Sequence, residues 1–588
     1  MDRILRRQAP PRRPWMTWLA LASLIALAAG CGPNATSVAP SAAAPGATEA
    51  APGASATAAV PSEAAPADND ARRPAVKGGE GKVALAAGSI DHLEPTLWYF
   101  QTTWQIAFAT CTTLVQYPDQ PGQAGAKIEA GLADLPVVSA DGTTYTFTLR
   151  DGVKFKDGAP ITGADIQYTF ERMLNPAMAS PAGGFFTNID GATAYMAGQA
   201  DSISGISSKG NTVTFKLTDP PASFLARLTM PFSCAVPSGT PISPIEDGSL
   251  LGTGPYMVES YTPQREIVLV RNPNYPADVL GERGALDKIT IDTTIDPTQA
   301  ALVIKSGEIA TYMDLIAGAD GSQALADPSL AGRVFADPIA TVTFLWINTQ
   351  EPPFDNVKVR QAMNYAINRN DIQRVLGGPA SSSVTDQILP PTMAGWKDAD
   401  IYPAAGDPEK ARQLLAEAGV TLPIKTLLRT GDNNPGMTDI AQTIQAQLKA
   451  VGIEPEVAVT AGAVDYSITT TVANKTPMGV DPWYQDYPHP DDFIGVLLDG
   501  SRITPTNNQN RAMFNEKTIN DRIHELSASL DPSTEAAWND LDVQIMRDYA
   551  PWVPLVNSVR VTIVAEGYCG LLIHPVYQLD LTTLGHCQ

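Results

Sequence analysis

The chain has 588 residues, with 62 Asp and Glu against 40 Lys and Arg and a formal net charge of −22 at pH 7. So acidic a chain lacks the cations that nucleic-acid phosphates require, and it offers no polybasic attraction to an anionic membrane. Its length exceeds what one hydrophobic core serves and suggests roughly three domains or lobes.

The chain opens with Arg3, Arg6, Arg7, Arg12 and Arg13, followed by an apolar run over residues 15–29. That run is shorter than the ~20 residues of a comfortable bilayer span. A basic segment, a short apolar segment and small residues before a cleavage point make an export signal, here residues 1–30. The ending Leu27-Ala28-Ala29-Gly30-Cys31 resembles the lipobox of bacterial lipoproteins, although Ala28 stands where that family more often has Leu. The resemblance implies that Cys31 is lipidated and becomes the new N-terminus. An ordinary signal peptide and a true membrane span are the alternatives. Arg6-Arg7 and Arg12-Arg13 leave general and twin-arginine export both open. Removing residues 1–30 takes away five Arg and one Asp, which moves the charge from −22 to −26. Membrane contact would then run through the lipid alone. Residues 31–75, rich in Ala, Pro, Gly, Ser and Thr, have little to bury and read as a disordered tether. As a flexible coil its ~44 residues reach roughly 35–40 Å.

Further along, residues 83–87 form a short apolar run before Gly88, a first strand. Residues 143–150 alternate Tyr145, Phe147 and Leu149 with Thr between the turn signals Asp141-Gly142 and Asp151-Gly152. That period of two predicts a strand with one buried face. A helix begins at Asp165, with Ile166, Phe170, Met173 and Leu174 on its apolar stripe. Strands follow at 212–217, 266–271 and 289–293. Residues 356–368 place Val359, Met363, Ala366 and Ile367 on one helical face. Asp407, Pro408 and Glu409 start another helix, which continues through Ala411, Leu414 and Leu415 and stops at Gly419. A last helix covers 438–450 and ends before Gly452. Strands mixed with helices throughout indicate an α/β or α+β protein.

Setting Cys31 aside leaves Cys111, Cys234, Cys569 and Cys587, an even number that permits disulfides in an exported protein. Cys569 and Cys587 close a short loop and are the first expected pair. Cys111 with Cys234 follows by elimination, and four buried free thiols are the alternative. No Cys pair has metal or redox spacing. The five His residues, His92, His489, His524, His574 and His586, are scattered, and His489 beside Asp491 and Asp492 reads as a solvated loop rather than a metal site. Gly252 and Gly254 precede Pro-Tyr and a strand-like run, not a phosphate-binding turn. Arg360 reads as a structural or surface cation. No catalytic motif stands out, so neither an enzyme activity nor a cofactor is expected.

Several stretches, in order, resemble the bacterial extracellular solute-binding proteins of family 5, the oligopeptide-, dipeptide- and nickel-binding proteins of ABC importers. The first covers residues 131–172, with Tyr145-Thr146-Phe147-Thr148-Leu149-Arg150-Asp151-Gly152 and Ala164-Asp165-Ile166. The second is Gly252-Thr253-Gly254-Pro255-Tyr256, continuing to Arg271-Asn272-Pro273-Asn274-Tyr275. The third runs from Pro352-Pro353-Phe354-Asp355-Asn356 to Ala366-Ile367-Asn368-Arg369. The fourth is Asp407-Pro408-Glu409-Lys410-Ala411 closing on Gly419. A fifth, shorter one is Asp486-Tyr487-Pro488-His489-Pro490.

The resemblance implies the α/β, two-lobed clamshell of the large, type II periplasmic binding proteins, with hinge strands between the lobes. The first lobe would hold residues 76–290 and 558–588, and the second 291–557. A solute, most favourably a short peptide, would be enclosed between them and delivered by a monomeric receptor to ABC permease subunits with cytoplasmic ATPases. Nickel chelates and oligosaccharides are alternatives. A hydrolase tethered to the envelope, or a sensory or chaperone-like binding protein without a permease, is the rival from another class. In peptide-binding relatives an aspartate at the position of Asp486 holds the peptide's α-amino group; a turn carboxylate is the plainer reading. Trp483, Tyr484, Trp346, Trp98 and Tyr99 are the aromatic candidates for the cleft wall, with core packing the alternative for each.

Overall fold

The computed structural model describes residues 70–588 apart from 87, 317, 433–435 and 530–533. The expected signal peptide, Cys31 and most of the expected tether lie outside the described residues. The tether reading is corrected at its end, because residues 70–75 are folded. Ala71 is buried, its N–H donates to the Gly332 carbonyl at 2.8 Å, and its carbonyl accepts from Leu571. The Arg73 carbonyl accepts from Gly570 at 2.7 Å. Small residues are joined to the fold here through their backbones, which composition does not register.

A four-stranded sheet follows in the order Glu80–Ala84, Lys288–Asp292, Glu266–Arg271, Tyr256–Thr262. Its first strand starts three residues before the expected 83–87. It runs parallel to Lys288–Asp292, with Glu80 opposite Lys288 and Ala84 opposite Asp292. The polar start escaped the apolar pattern because pairing, with Lys82 joined to Asp292 at 3.0 Å, holds it in place. A second, antiparallel sheet contains Thr144–Thr148 and Thr212–Lys216 at its centre, and Tyr145, Phe147, Val213 and Phe215 are its buried face.

The third sheet has seven strands. Along it lie Val334–Pro338, Trp552–Ile563, Thr341–Ile347, Met478–Tyr484, Ile424–Gly431 and Ile453–Thr460, with Ser382–Val384 also paired to Trp552–Ile563. Thr341–Ile347 is buried at every position, as a central strand covered on both faces must be. Trp552–Ile563 keeps its pairing through Ser558 to Ile563, against 334–338 and 382–384.

The helices follow their sequence signals closely. Gly163–Leu174 carries a capping box between Thr162 and Asp165. Asn356 caps Val357–Ala366 by accepting from Lys358 N, and Asp407 caps Pro408–Ala418 by accepting from Lys410 N. Gly419 ends that last helix at φ 68°, a left-handed position that a Cβ disfavours. Arg360 is buried, and its guanidinium is consumed by the carbonyls of Phe354, Asp355 and Tyr549, which makes it a structural cation. Both Cys111–Cys234 and Cys569–Cys587 are disulfides.

Candidate functional site

The site is built on Met478–Tyr484 and the turn that follows it. This strand lies antiparallel to Thr341–Ile347, with Trp346 opposite Gly479, Phe344 opposite Asp481 and Val342 opposite Trp483. A Cβ on Gly479 would stand 2.5 Å from the Trp346 ring, so only glycine lets the indole lie against the strand. Beside them is a narrow recess walled by Phe344, Trp346, Trp483 and Trp552. Phe344 and Trp552 are stacked with ring centroids 3.7 Å apart. Asp481 and Arg511 supply its charge: Asp481 Oδ2 accepts from Trp346 Nε1 at 2.8 Å and from Arg511 Nη1 at 2.5 Å. Gln509 lies on the same wall and donates to the Tyr466 hydroxyl at 2.7 Å.

Where the strand ends, Asp486 turns inward. It is 6% exposed and accepts from the Tyr99 hydroxyl at 3.0 Å. Tyr99 comes from a segment held by Asp91, whose carboxylate accepts from the backbone N–H groups of Tyr99 and Phe100 and from the Thr103 hydroxyl. Asp492 Oδ2 accepts from Asp486 N at 2.9 Å and from Trp483 Nε1 at 3.4 Å; its Oδ1 has no partner among the described residues. Neither carboxylate has a cation on it among the described residues. Burial therefore pushes Asp486 up to about 8, with the Tyr99 bond opposing, and burial and then the neighbouring Asp486 drive Asp492 well above the carboxylate range.

Asp491, between them in sequence, is the opposite case. Burial alone would raise it, but Arg502 and Arg227 hold it far below its ordinary value. Arg227 donates at 2.7 Å and Arg502 at 3.0 Å, and Ser223, Ser527 and Tyr487 add hydroxyl bonds. Adjacent residues thus hold one fully neutralised carboxylate and one that lacks a cation.

Of the residues singled out from sequence, Asp486, Tyr99 and Trp483 come together, and Trp346 shares the recess with Trp483. Trp98 is instead buried in the core, 0% exposed and away from the recess wall. Tyr484 lies beside Asp314 and Arg560 rather than on that wall. His489 is not in a solvated loop: it is half-buried, its Nδ1 accepts from Asp491 N, and its ring meets Trp538 edge-on. Burial lowers it to about 4. Sequence reading missed Asp481, Arg511, Gln509, Tyr466, Phe344 and Trp552. They arrive from five separate segments, and no spacing links those segments.

Residues 127–505 match the family described as "Bacterial extracellular solute-binding proteins, family 5 Middle". The chain is 30% identical over 459 residues to Heme-binding protein A of Haemophilus influenzae, covering 74% of this chain and 79% of that protein. It is 28% identical over 468 residues to the Dipeptide-binding protein of Escherichia coli, covering 76% and 84%. Among solved structures it is similar to Clavulanic acid biosynthesis oligopeptide binding protein 2, with TM-score 0.80 and 24% identity over 87% of this chain and 96% of that one. It is also similar to the periplasmic binding protein DppA of Helicobacter pylori in complex with the peptide STSA, with TM-score 0.74 and 24% identity over 87% and 99%. These neighbours share the two-lobed type II fold, and the relatives are binding proteins, not enzymes. The chain belongs to the bacterial extracellular solute-binding proteins of family 5.

Proposed function

We propose that this chain captures short peptides outside the cytoplasm, holds their α-amino group at Asp486, and delivers them to the permease of an ABC importer. The observation that carries this reading is the buried Asp486 carboxyl, which has a tyrosine hydroxyl on it and no cation. An incoming ammonium supplies the missing charge in a site poor in water, where a charge-assisted hydrogen bond is strong. The names of relatives, among them dipeptide-binding and di/tripeptide-binding proteins, support the peptide class. The sequence around Cys31 supports a lipid anchor that keeps the receptor at the membrane surface. Closure of the two lobes on the peptide would present the loaded form to the permease.

Native mass spectrometry of the purified full chain tests the solute class. A distribution of short-peptide masses is expected, and a single non-peptide mass would replace the peptide reading with another solute. Asp486→Asn is expected to weaken binding of those peptides by about 2–3 kcal/mol, roughly 30- to 150-fold. Unchanged affinity in a folded variant would remove Asp486 from the site.

A further inference from the structure

Three buried carboxyls stand in the segment that follows Met478–Tyr484, and only Asp491 has the surroundings of an ion. Two guanidinium groups and three hydroxyls hold its charge inside the fold. Asp486 has only the Tyr99 hydroxyl on its side chain. Asp492 is 0% exposed, takes Asp486 N and Trp483 Nε1 on Oδ2, and has nothing on the buried Oδ1 among the described residues. The ionisable groups that act on this pair come from several elements: Tyr99 ahead of Gln101–Thr110, Tyr117 after Val115–Gln116, Tyr466 in Gly462–Thr469, and Tyr487 and Asp491 alongside. Each is a phenol or an acid. The cations of the neighbourhood are already committed, Arg227 and Arg502 to Asp491 and Arg511 to Asp481. His489 accepts from Asp491 N, and burial lowers it to about 4, so it is neutral above pH 5. Two buried carboxyls joined through one N–H, with no cation on either, do not both ionise.

We propose that Asp486 is a carboxylic acid in the empty receptor and that the peptide's ammonium displaces its proton, so that capture releases one proton and tightens as pH rises. This rests on the peptide reading given above, with the amine at Asp486. The exchange balances. The O–H bond of Asp486 breaks and its proton leaves to solvent, while the ammonium arrives with all three protons and donates to the carboxylate left behind. Asp492 keeps its own proton, because one ammonium neutralises one charge and not two. The Tyr99 hydroxyl donates to Asp486 Oδ2 and serves both states, since the proton is on the other oxygen. Burial pushes Asp486 up to about 8, and a free peptide amine titrates at about 7.7–8.0. Below pH 7 the acid is therefore protonated and the amine charged, and about one proton is lost per peptide bound. Near pH 8 the free amine sheds its own proton and the exchange vanishes. Affinity then climbs about tenfold per pH unit from 5 to 7 and is highest near 8. A carboxylate with the ordinary value of about 3.9 gives a flat affinity over the same range.

The test is isothermal titration calorimetry of the purified full chain with tripeptides of Ala, Ser and Leu, which carry no ionisable side chain. Binding heats in buffers of different ionisation enthalpy count the protons exchanged. At pH 6.5 about one proton is expected to leave per peptide bound, and Kd is expected to fall about tenfold per pH unit between 5 and 7. Asp486→Asn should bind weakly, with neither the release nor the pH slope. Asp492→Asn keeps an oxygen to accept from Asp486 N and should retain both. Peptide binding by the wild type without proton release, at constant affinity from pH 5 to 7, would overturn the proposal without any variant and leave the peptide reading standing. Release that persists in Asp486→Asn, or is lost in a folded Asp492→Asn, would put the proton on another group and overturn it as well. Binding of no tripeptide between pH 5 and 8 would remove the peptide reading and this proposal with it.

Discussion

Asp486 and Asp491 show how two carboxyls five residues apart in one turn are set to different tasks by what surrounds them. The groups facing Asp486 are Tyr99, Tyr466 and Asp492, none of them a cation. Because burial raises Asp486 to about 8, the unliganded fold is favoured with the proton on. Its contribution is therefore fully present below about pH 4 and is lost as pH rises through about 8, by at most about 1.4 kcal/mol per pH unit. Asp486→Asn carries no such dependence, so the variant is expected to gain stability relative to wild type between pH 5 and 8. Urea unfolding of both proteins at several pH values measures this, and parallel curves would show that Asp486 is ionised throughout. At this scale the sequence was informative only where chemistry is local. Asp486 and Trp483 sit in one short motif and could be singled out. Arg511 and Tyr466 meet the recess from loops and helices tens of residues away, and no periodicity connects a polar loop to the strand it covers.

Elements with one dominant local signal were the legible ones. Glu266–Arg271, an aliphatic run between two charged residues, appears at the expected residues, and Pro408–Ala418 begins at its Asp407 cap and ends at Gly419. Met478–Tyr484, the strand that carries the site, was not legible, because Asp481 and Pro482 break the strand pattern. The sheet tolerates Pro482 because its neighbour Ile424–Gly431 pairs with this strand only at Gly479, leaving the proline's missing N–H without a ladder to interrupt. The ion pair that joins the short helix Phe224–Leu228 to Asp491 was equally hidden, since its partners are 264 residues apart. With Arg227 6% and Asp491 0% exposed, this pair tests how the segment after the site is held against residues 219–228. Arg227→Met keeps the bulk and removes the charge, leaving Asp491 with Arg502 alone. A loss of about 3 kcal/mol in unfolding free energy is expected at pH 7. A loss under 0.5 kcal/mol would show that Arg502 and the three hydroxyls suffice.

At the scale of the whole molecule, the cross-links are distributed unevenly. All four cysteines in the disulfides lie in residues 70–290 and 558–588, and none lies in 291–557. A separate apolar core is formed wholly within that cysteine-free stretch, from Leu345 and Ile347 through Ile440 and Ile444 to Leu555 and Val556. Loop-closure entropy assigns the bonds different weights. The 123-residue separation of Cys111 and Cys234 is worth about 5 kcal/mol and the 18-residue separation of Cys569 and Cys587 about 3 kcal/mol. The second bond also secures the strap at residues 70–75, because Gly570 and Leu571 pair with Arg73 and Ala71 just after Cys569. Reduction should therefore weaken residues 70–290 and 558–588 more than the second core. The oxidised chain is expected to unfold in urea as one transition or two close ones. The reduced and alkylated chain should show an early step, in which trypsin gains access to residues 70–290, and a later one at the oxidised midpoint for 291–557. Loss of both parts at a single lowered midpoint would mean that the second core has no stability apart from the first. The hinged closure proposed for ligand capture would then require the two parts to move without either one loosening.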